Sequence, residues 1–220
     1  MFTAFSSNLP LADWVAGSAA AFEALGMLAF AVSGLLEAAR KKLDIMGMAI
    51  VAGLTAFGGG TVRDLLLDRR PFYWVQNQAW VWIILVLSVI ALFSLRARHI
   101  DPTDRMMQIP DAVGLGIFAA SGTQIALDVG MTPLISVVMG TFTAALGGVA
   151  RDISVREIPK AFIDHQPYAV IAFCGGWLVV LGDMLGWAKP FQVALAAVAI
   201  ITVRILTIVF GWRLPTWRKV

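Results

Sequence analysis

Seven apolar segments, each close to the length of a membrane-spanning helix, follow one another along this 220-residue chain. The stretches between them carry Lys, Arg, Pro and clustered aromatic residues, which are typical of membrane–water interfaces. Because a helix needs about 20 residues to cross a bilayer, the pattern predicts seven transmembrane helices. They are expected at residues 17–37, from 45 to the glycines at 58–60, 79–95, 111–128, 132–150, 168–185 and 191–212.

The composition agrees with this pattern. Apolar residues make up 59% of the chain and charged residues 14%, whereas soluble domains contain roughly half and a quarter. The chain is therefore predicted to be an all-α integral membrane protein. Its net charge of +3 comes from residues at the ends of the apolar segments, so it indicates membrane topology and not a nucleic-acid partner. The single cysteine, Cys174, leaves no intrachain disulfide and no cysteine metal site.

The distribution of Lys and Arg predicts the orientation of the chain. With the N-terminus outside, the inner segments hold twelve basic residues and the outer segments four. Basic residues concentrate on the inner side of a membrane, so we predict that the N-terminus is outside and the C-terminus inside. The inner residues are Arg40, Lys41, Lys42, Arg96, Arg98, Arg105, Arg151, Arg156, Lys160, Arg213, Arg218 and Lys219, and the outer ones are Arg63, Arg69, Arg70 and Lys189.

The sequence TAFGGGTVRD at residues 55–64 recurs as TAALGGVARD at residues 143–152, an offset of 88 residues. A single register that holds over a long segment indicates an internal duplication. The same offset aligns Gly26 with Gly114, Ser33 with Ser121, Gly34 with Gly122, Thr55 with Thr143 and Pro71 with Pro159.

The duplication divides a single membrane domain, residues 1–220, into three parts. They are a first three-helix repeat at residues 17–97, a second at 111–186 and a seventh helix at 190–213. Because three is an odd number, the two copies cross the membrane in opposite senses. The pattern thus predicts an inverted repeat about an axis in the membrane plane.

The repeated glycines, at residues 58–60 and at Gly147 and Gly148, are unfavourable inside a helix, at about 1 kcal/mol each relative to alanine. We expect the helices to break there. Irregular backbone at membrane depth survives where it lines a cavity, so two breaks would indicate a polar path whose carbonyl groups could coordinate a cation. The alternative is that these glycines only permit close helix packing.

Arg63 and Asp64 follow the first glycines, and Arg151 and Asp152 follow the second. Ionisable groups at membrane depth normally face the protein interior or water, although these could also be interfacial charges that reach outward. Adjacent residues on a helix do not face each other. Each arginine is therefore predicted to pair with an acid other than its neighbour.

The remaining polar residues of the spans allow several interpretations. Ser33, Ser121, Thr55 and Thr143 could line a path or form helix-to-helix hydrogen bonds. Glu23 and Asp111, which align under the offset, are expected at the membrane interface. Asp183 and Arg204 are candidates for a mutual pair, and a water-facing role in a pore is the alternative.

The chain carries no metal-ligand spacing, nucleophile elbow, Walker loop or dinucleotide fingerprint. We therefore predict that it is not an enzyme and needs no cofactor, and that it holds no metal other than permeating monovalent cations.

Seven segments in a three-three-one arrangement, with GGGTVRD in the second and GGVARD in the fifth, resemble the prokaryotic trimeric intracellular cation (TRIC) channels. The same family has also been labelled UPF0126 or a glycine transporter family. The resemblance implies a homotrimer in a prokaryotic inner membrane, with a potassium-permeable pore in each subunit between the second and fifth helices, both kinked at their glycines. The implied pore positions are Gly58, Gly59, Gly60, Arg63, Asp64, Gly147, Gly148, Arg151 and Asp152.

The resemblance implies potassium or sodium as permeating ions. Leu146 replaces the first glycine of the second motif, so the two helices need not be equivalent. We expect the aspartates to supply negative potential and the arginines a constriction. Trimer contacts are expected on the first and fourth helices, where Gly26 and Gly114 lie.

Two alternative functions remain at this point. Inverted repeats with broken helices are typical of secondary transporters, so a transporter for glycine or another small solute is the second hypothesis. Basic pockets between spans could also bind anionic membrane lipid.

Overall fold

The computed structural model describes residues 10–97, 102–163 and 166–215. Within these ranges all regular secondary structure is helical. The helices are α1 (Pro10–Arg40), α2 (Ile45–Leu66), α3 (Tyr73–Gln76), α4 (Ala79–Ala97), α5 (Asp104–Asp128), α6 (Pro133–Ser154), α7 (Lys160–Ile163), α8 (Ala169–Met184) and α9 (Lys189–Phe210).

The helix ends follow local sequence signals. The Asp44 carboxylate accepts a hydrogen bond from the Gly47 backbone N–H at 2.7 Å and caps α2, and Thr103 caps α5 in the same way. Pro133 stands in the first turn of α6, where a missing N–H costs nothing. Gly211 ends α9 in a left-handed conformation, with φ of 65°, that favours glycine.

Each of the seven predicted apolar segments overlaps one helix, which confirms the all-helical prediction for the described residues. By length and hydropathy, four helical stretches can cross a bilayer, at residues 20–40, 45–66, 133–154 and 189–210, while α4 and α8 are apolar but shorter. The helix α5 is long enough, but it carries charges near both ends, at Asp104, Arg105, Asp111 and Asp128. It begins seven residues before the predicted start at Asp111, and Pro110 lies inside it.

The helix α5 forms the centre of the fold. It packs against α1, α6, α8 and α9, while α2 packs against α1, α4 and α6. The largest core cluster includes the rings of Phe30 from α1 and Phe118 from α5, whose centroids are 5.3 Å apart. These two phenylalanines align under the 88-residue offset, so equivalent positions of the two repeats meet at the core.

The expectation that Gly26 and Gly114 form trimer contacts is wrong. A Cβ on Gly26 would lie 3.0 Å from the Phe118 ring, and one on Gly114 would overlap the Phe30 ring. Both glycines therefore face the α1–α5 contact inside one protomer. Their absent side chains make room for the paired rings.

Replacement of Gly114 by valine is expected to destabilise the protomer, because Phe30 is fully buried and cannot move away without disturbing the core. We expect a loss of roughly 1–3 kcal/mol, measured as a lower unfolding temperature of the purified protein. Gly53→Ala is the control, since the nearest atoms to its new Cβ are 4.0 Å away, on Phe57. Folded monomers of unchanged unfolding temperature would contradict this assignment.

The predicted breaks at the glycines do not occur. The helix α2 runs without interruption from Ile45 to Leu66, and α6 from Pro133 to Ser154. Arg63 and Arg151 consequently lie in the last turns of continuous helices instead of following a break. The glycines have another structural role, which appears where α2 and α6 cross.

Candidate functional site

The helices α2 and α6 cross in direct backbone contact. A Cβ on Gly59 would overlap the carbonyl oxygen of Thr143, and a Cβ on Gly147 would overlap the carbonyl oxygen of Thr55. The two contacts are equivalent under the 88-residue offset, with the roles of the helices exchanged. The lower-numbered residue of one helix meets the higher-numbered residue of the other, so the helices are antiparallel. Gly59 and Gly147 therefore permit close packing, which was the alternative interpretation of the repeated glycines.

The two arginines that the repeat relates, Arg63 and Arg151, lie on opposite sides of this crossing. Arg63 and Arg151 are each six residues beyond its centre, which corresponds to ~9 Å along the helix axis at 1.5 Å per residue. Because the helices are antiparallel, these displacements point in opposite directions. The two arginines are thus about 18 Å apart along the helices.

The first site is built around Arg63, which is 1% exposed. Its Nη2 lies 2.7 Å from Glu23 Oε1 on α1, and its Nε donates to Asp64 Oδ1 at 2.8 Å. The half-exposed Arg69 adds a hydrogen bond to the same Asp64 oxygen at 3.2 Å. Gly60 lies beside this arginine, since a Cβ there would be 3.9 Å from Arg63 Nη2.

The second site repeats this arrangement around Arg151, which is 3% exposed. Its Nη1 lies 2.7 Å from Asp111 Oδ1 on α5, and its Nε donates to Asp152 Oδ1 at 2.9 Å. Here Nη1 also donates to Ser33 Oγ on α1, at 2.6 Å. The backbone N–H of Lys160 donates to Asp152 Oδ2 at 2.9 Å.

These contacts bear on two predictions. Each arginine pairs with an acid other than its neighbour, as predicted. It also pairs with the neighbouring aspartate, because the long side chain folds back along its own helix. Glu23 and Asp111, which were expected at the membrane interface, are buried inside the protein beside the arginines, at 8% and 5% exposure. A signal for their role exists in the sequence, since each acid precedes its arginine by the same interval of 40 residues.

The predicted hydroxyl residues occupy different places. Thr55 and Thr143 lie at the crossing, and their Oγ1 atoms donate back to their own helices, to Val51 O at 2.6 Å and Met139 O at 2.7 Å. Ser33 belongs to the second site through Arg151. Ser121 is 6% exposed, and within the described part of the chain its Oγ has no hydrogen-bond partner.

A pocket beside the first site has an aromatic lining. Phe57 stacks on Trp74, with ring centroids 5.3 Å apart and planes 12° from parallel. Trp74 Nε1 donates to Thr61 Oγ1 at 3.0 Å, which holds the indole over the pocket. Tyr73 also lines it. These aromatic residues line the same pocket as Arg63, Glu23 and Asp64.

The pocket beside the second site is polar. Lys160, Gln166, Tyr168 and Arg204 line it together with the Arg151 group. The Arg204 guanidinium lies 5.1 Å from the centre of the Tyr168 ring, and its Nη1 donates to Pro167 O at 3.2 Å. The sequence indicates Arg204 only as a possible partner of Asp183 or as a water-facing residue of a pore. It contains no signal that Lys160 and Tyr168 belong to the site, because the 88-residue offset aligns them with Phe72 and Trp80.

The candidate pair of Asp183 and Arg204 is not formed. Arg204 lies against Tyr168, which precedes α8, whereas Asp183 is in the last turn of α8. The length of the helix, about 22 Å at 1.5 Å per residue, separates the two ends.

An ion-pair network extends from the second site through Lys160. Lys160 Nζ lies 2.8 Å from Asp104, which is 3.3 Å from Arg40 at the end of α1. Arg40 also pairs with the buried Glu37 at 2.6 Å and with Glu157 at 2.9 Å. The network thus joins α1, α5 and the segment that connects α6 to α7.

Comparisons with known proteins agree with this architecture. A family model described as glycine transporter matches residues 20–96 and again residues 108–184, so its two matches start 88 residues apart. A UPF0126 membrane protein of Vibrio cholerae is 31% identical over 192 residues, 87% of this chain and 80% of that protein. The UPF0126 inner membrane protein YadS of Escherichia coli is 32% identical over 195 residues, 88% of this chain and 93% of that protein.

Solved structures give the same result. A TRIC trimeric intracellular cation channel orthologue from Rhodobacter sphaeroides has a TM-score of 0.81 and 34% identity, over 88% of this chain and 98% of that one. A prokaryotic TRIC channel crystallised in 0.5 M KCl has a TM-score of 0.81 at 26% identity, over 89% of this chain and 98% of that one. These relatives are membrane proteins and channels, not enzymes. The chain belongs to the UPF0126 family of multi-pass membrane proteins, which the glycine transporter family model also describes, and it has the fold of the prokaryotic TRIC channels.

Proposed function

We propose that this protein is a cation channel of a prokaryotic inner membrane that conducts monovalent cations, chiefly potassium. The observation that carries the proposal is the match to the Rhodobacter sphaeroides TRIC channel, at a TM-score of 0.81 and 34% identity over almost all of that chain. By the same likeness we propose a homotrimer with one pore in each subunit.

The proposed pore follows the α2–α6 crossing and connects the two arginine sites. We infer seven transmembrane helices with the N-terminus outside, which places the Arg63 site near the outer face and the Arg151 site near the inner face. The reciprocal contacts of Gly59 with Thr143 and Gly147 with Thr55 support an inverted repeat, since a two-fold relation generates such exchanged pairs. Because backbone meets backbone there, the crossing is the closed point of the path, and opening requires α2 and α6 to separate.

The three ionisable groups at the centre of each site carry a charge that suits a cation, although Arg69 beside the first site and Lys160 and Arg204 beside the second add positive charge. One guanidinium faces two carboxylates, Glu23 and Asp64 in the first site and Asp111 and Asp152 in the second. With all groups ionised, each trio has a net charge of −1. A fixed negative charge in a low-dielectric wall raises the local concentration of cations, while each arginine narrows the path and repels a passing cation.

Asymmetric potassium chloride across a planar bilayer tests the channel directly. Unitary currents that reverse near the potassium potential are expected, and Asp152→Asn is expected to move the reversal potential toward zero because it removes one of the two carboxylates beside Arg151. Asp68→Asn is the control, since Asp68 has a side chain that is 92% exposed and lies after the end of α2. Reversal potentials that are identical in all variants would contradict the proposed role of Asp152.

The second candidate function is a secondary transporter for glycine or another small solute. Two observations favour it: the description of the matched family model, and the crossing that separates the two pockets, as alternating access requires. Silent bilayers together with saturable glycine uptake into liposomes would support this function in place of a channel.

A further inference from the structure

One contact breaks the equivalence of the two sites. Arg151 on α6 donates from Nη1 to Ser33 Oγ on α1, at 2.6 Å, and so joins one repeat to the other. The equivalent residues under the 88-residue offset are Arg63 on α2 and Ser121 on α5. They are 1% and 6% exposed, yet within the described ranges neither Arg63 Nη1 nor Ser121 Oγ has a hydrogen-bond partner.

Buried polar atoms without a partner are rare, because each costs free energy that a hydrogen bond would recover. Here the donor Arg63 Nη1 and the acceptor Ser121 Oγ both lack a partner within the described ranges. The 88-residue offset relates these two residues to Arg151 and Ser33, which do form a hydrogen bond. A second conformation in which Arg63 and Ser121 meet would satisfy both. The second site shows what such an arrangement looks like, because Arg151 and Ser33 occupy the equivalent positions there.

We propose that the two Arg–Ser pairs, Arg151–Ser33 and Arg63–Ser121, are alternative latches, one in each of the two pockets, and that the α2–α6 crossing between them remains the point that opens for ion flow. In the present conformation the Arg151–Ser33 latch is closed and the Arg63–Ser121 latch is open. In the alternative conformation the states are exchanged, as expected when the two halves of an inverted repeat move against each other. Ser33 and Ser121 are then positioning residues for the arginines, and this inference rests on the proposed path between the sites.

The acids explain which latch is closed here. The Glu23 side chain is longer than that of Asp111 by one methylene group. Glu23 pairs with Nη2 of Arg63, whereas Asp111 pairs with Nη1 of Arg151. The shorter acid leaves Arg151 where Nη1 can bond Ser33 as well. Exchange of acid length should therefore shift the balance between the latches.

Thiol modification in each pocket tests the proposal without reference to ion flow. In a Cys174→Ala background, which removes the single native cysteine, Thr61→Cys reports on the first pocket and Val149→Cys on the second. These positions are equivalent under the offset. The rate of reaction with a charged, membrane-impermeant thiol reagent is measured for each.

Addition of Ser33→Ala is expected to speed modification of the Val149→Cys variant about tenfold and to slow that of the Thr61→Cys variant, because a hydrogen bond to a charged group is worth at least that factor. Ser33→Thr keeps a hydroxyl and is expected to restore both rates. Asp111→Glu leaves Ser33 intact and is expected to change both modification rates as Ser33→Ala does. It replaces Ser33→Ala in the experiment if that variant does not fold.

If Ser33 had only a local structural role, its replacement would not change the modification rates in opposite directions at two pockets about 18 Å apart. A change at Val149→Cys alone, or equal changes of the same sign at both positions, would overturn the latch. Potassium currents from the same variants separate the two proposals. Opposite changes of the modification rates without potassium current would support the latch and contradict the channel. Potassium current without opposite rate changes would support the channel and contradict the latch.

Discussion

Replacement of Arg151 by glutamine is expected to lower the free energy of unfolding by about 3–5 kcal/mol, the usual cost of removing one partner from a buried ion pair. Asp111 and Asp152 are 5% and 1% exposed, and both would keep a negative charge without the guanidinium that compensates it. Glutamine retains donors but no charge. For a chain of this length the loss corresponds to a decrease of about 10 °C in unfolding temperature, which tryptophan fluorescence of the purified protein can follow.

Arg69→Gln is the matched control for this effect. Arg69 also pairs with a site aspartate, Asp64, at 3.2 Å, but its side chain is 43% exposed. Exposed pairs contribute about 0–1 kcal/mol, so its unfolding temperature should hardly change. Addition of Asp111→Asn to Arg151→Gln should recover part of the loss, because it removes one of the two uncompensated charges. Equal effects of Arg151→Gln and Arg69→Gln would show that water reaches the second site and solvates its carboxylates.

The sequence was sufficient for the parts of the fold that depend on local properties. The lengths of the apolar segments predicted α4 and α8 to within about two residues at each end, because hydrophobic length depends on the bilayer and not on the neighbouring helices. The recurrence of Ser33, Thr55 and Arg63 at Ser121, Thr143 and Arg151 predicted which positions would be equivalent. The threonines and the arginines make equivalent contacts, whereas Ser33 and Ser121 do not.

The glycines show why the rest could not be predicted. Residues 58–60 were expected to break a helix, since the intrinsic preference of three glycines is against it. In the folded protein the cost is offset by the close approach of α6, whose Thr143 carbonyl lies where a side chain on Gly59 would be. Helix propensity is a property of one local segment, whereas this packing depends on a second segment more than 80 residues away in the sequence.

The partners of the arginines were missed for a related reason. Glu23 and Asp111 lie at the starts of apolar segments, where an interfacial position is the ordinary outcome. Only the common interval of 40 residues to Arg63 and Arg151 could have indicated the pairs. The aromatic and polar linings of the two pockets had no such signal, because Trp74 aligns with Phe162 and Tyr168 with Trp80.

Replacement of Gly59 by alanine is the second substitution with a large expected effect. The added Cβ would overlap the backbone carbonyl oxygen of Thr143, which cannot rotate away as a side chain could. The helices α2 and α6 must therefore separate at the crossing. We expect a destabilisation near the upper end of the roughly 1–3 kcal/mol that overpacking costs, seen as a lower unfolding temperature. Gly147→Ala, which meets the carbonyl of Thr55, should have the same effect.

Gly58 provides the control, because it differs from Gly59 in the atoms of α6 that an added Cβ would meet. A Cβ on Gly58 would be 3.7 Å from Ala150 Cβ and 3.8 Å from Gly147 Cα, which is ordinary van der Waals contact. Gly58→Ala should therefore gain the higher helix propensity of alanine, up to about 1 kcal/mol, and keep or raise the unfolding temperature. If Gly58→Ala and Gly59→Ala shifted the unfolding temperature equally, the glycines would act through helix propensity and not through the crossing. The crossing would then lose its place as the closed point of the path.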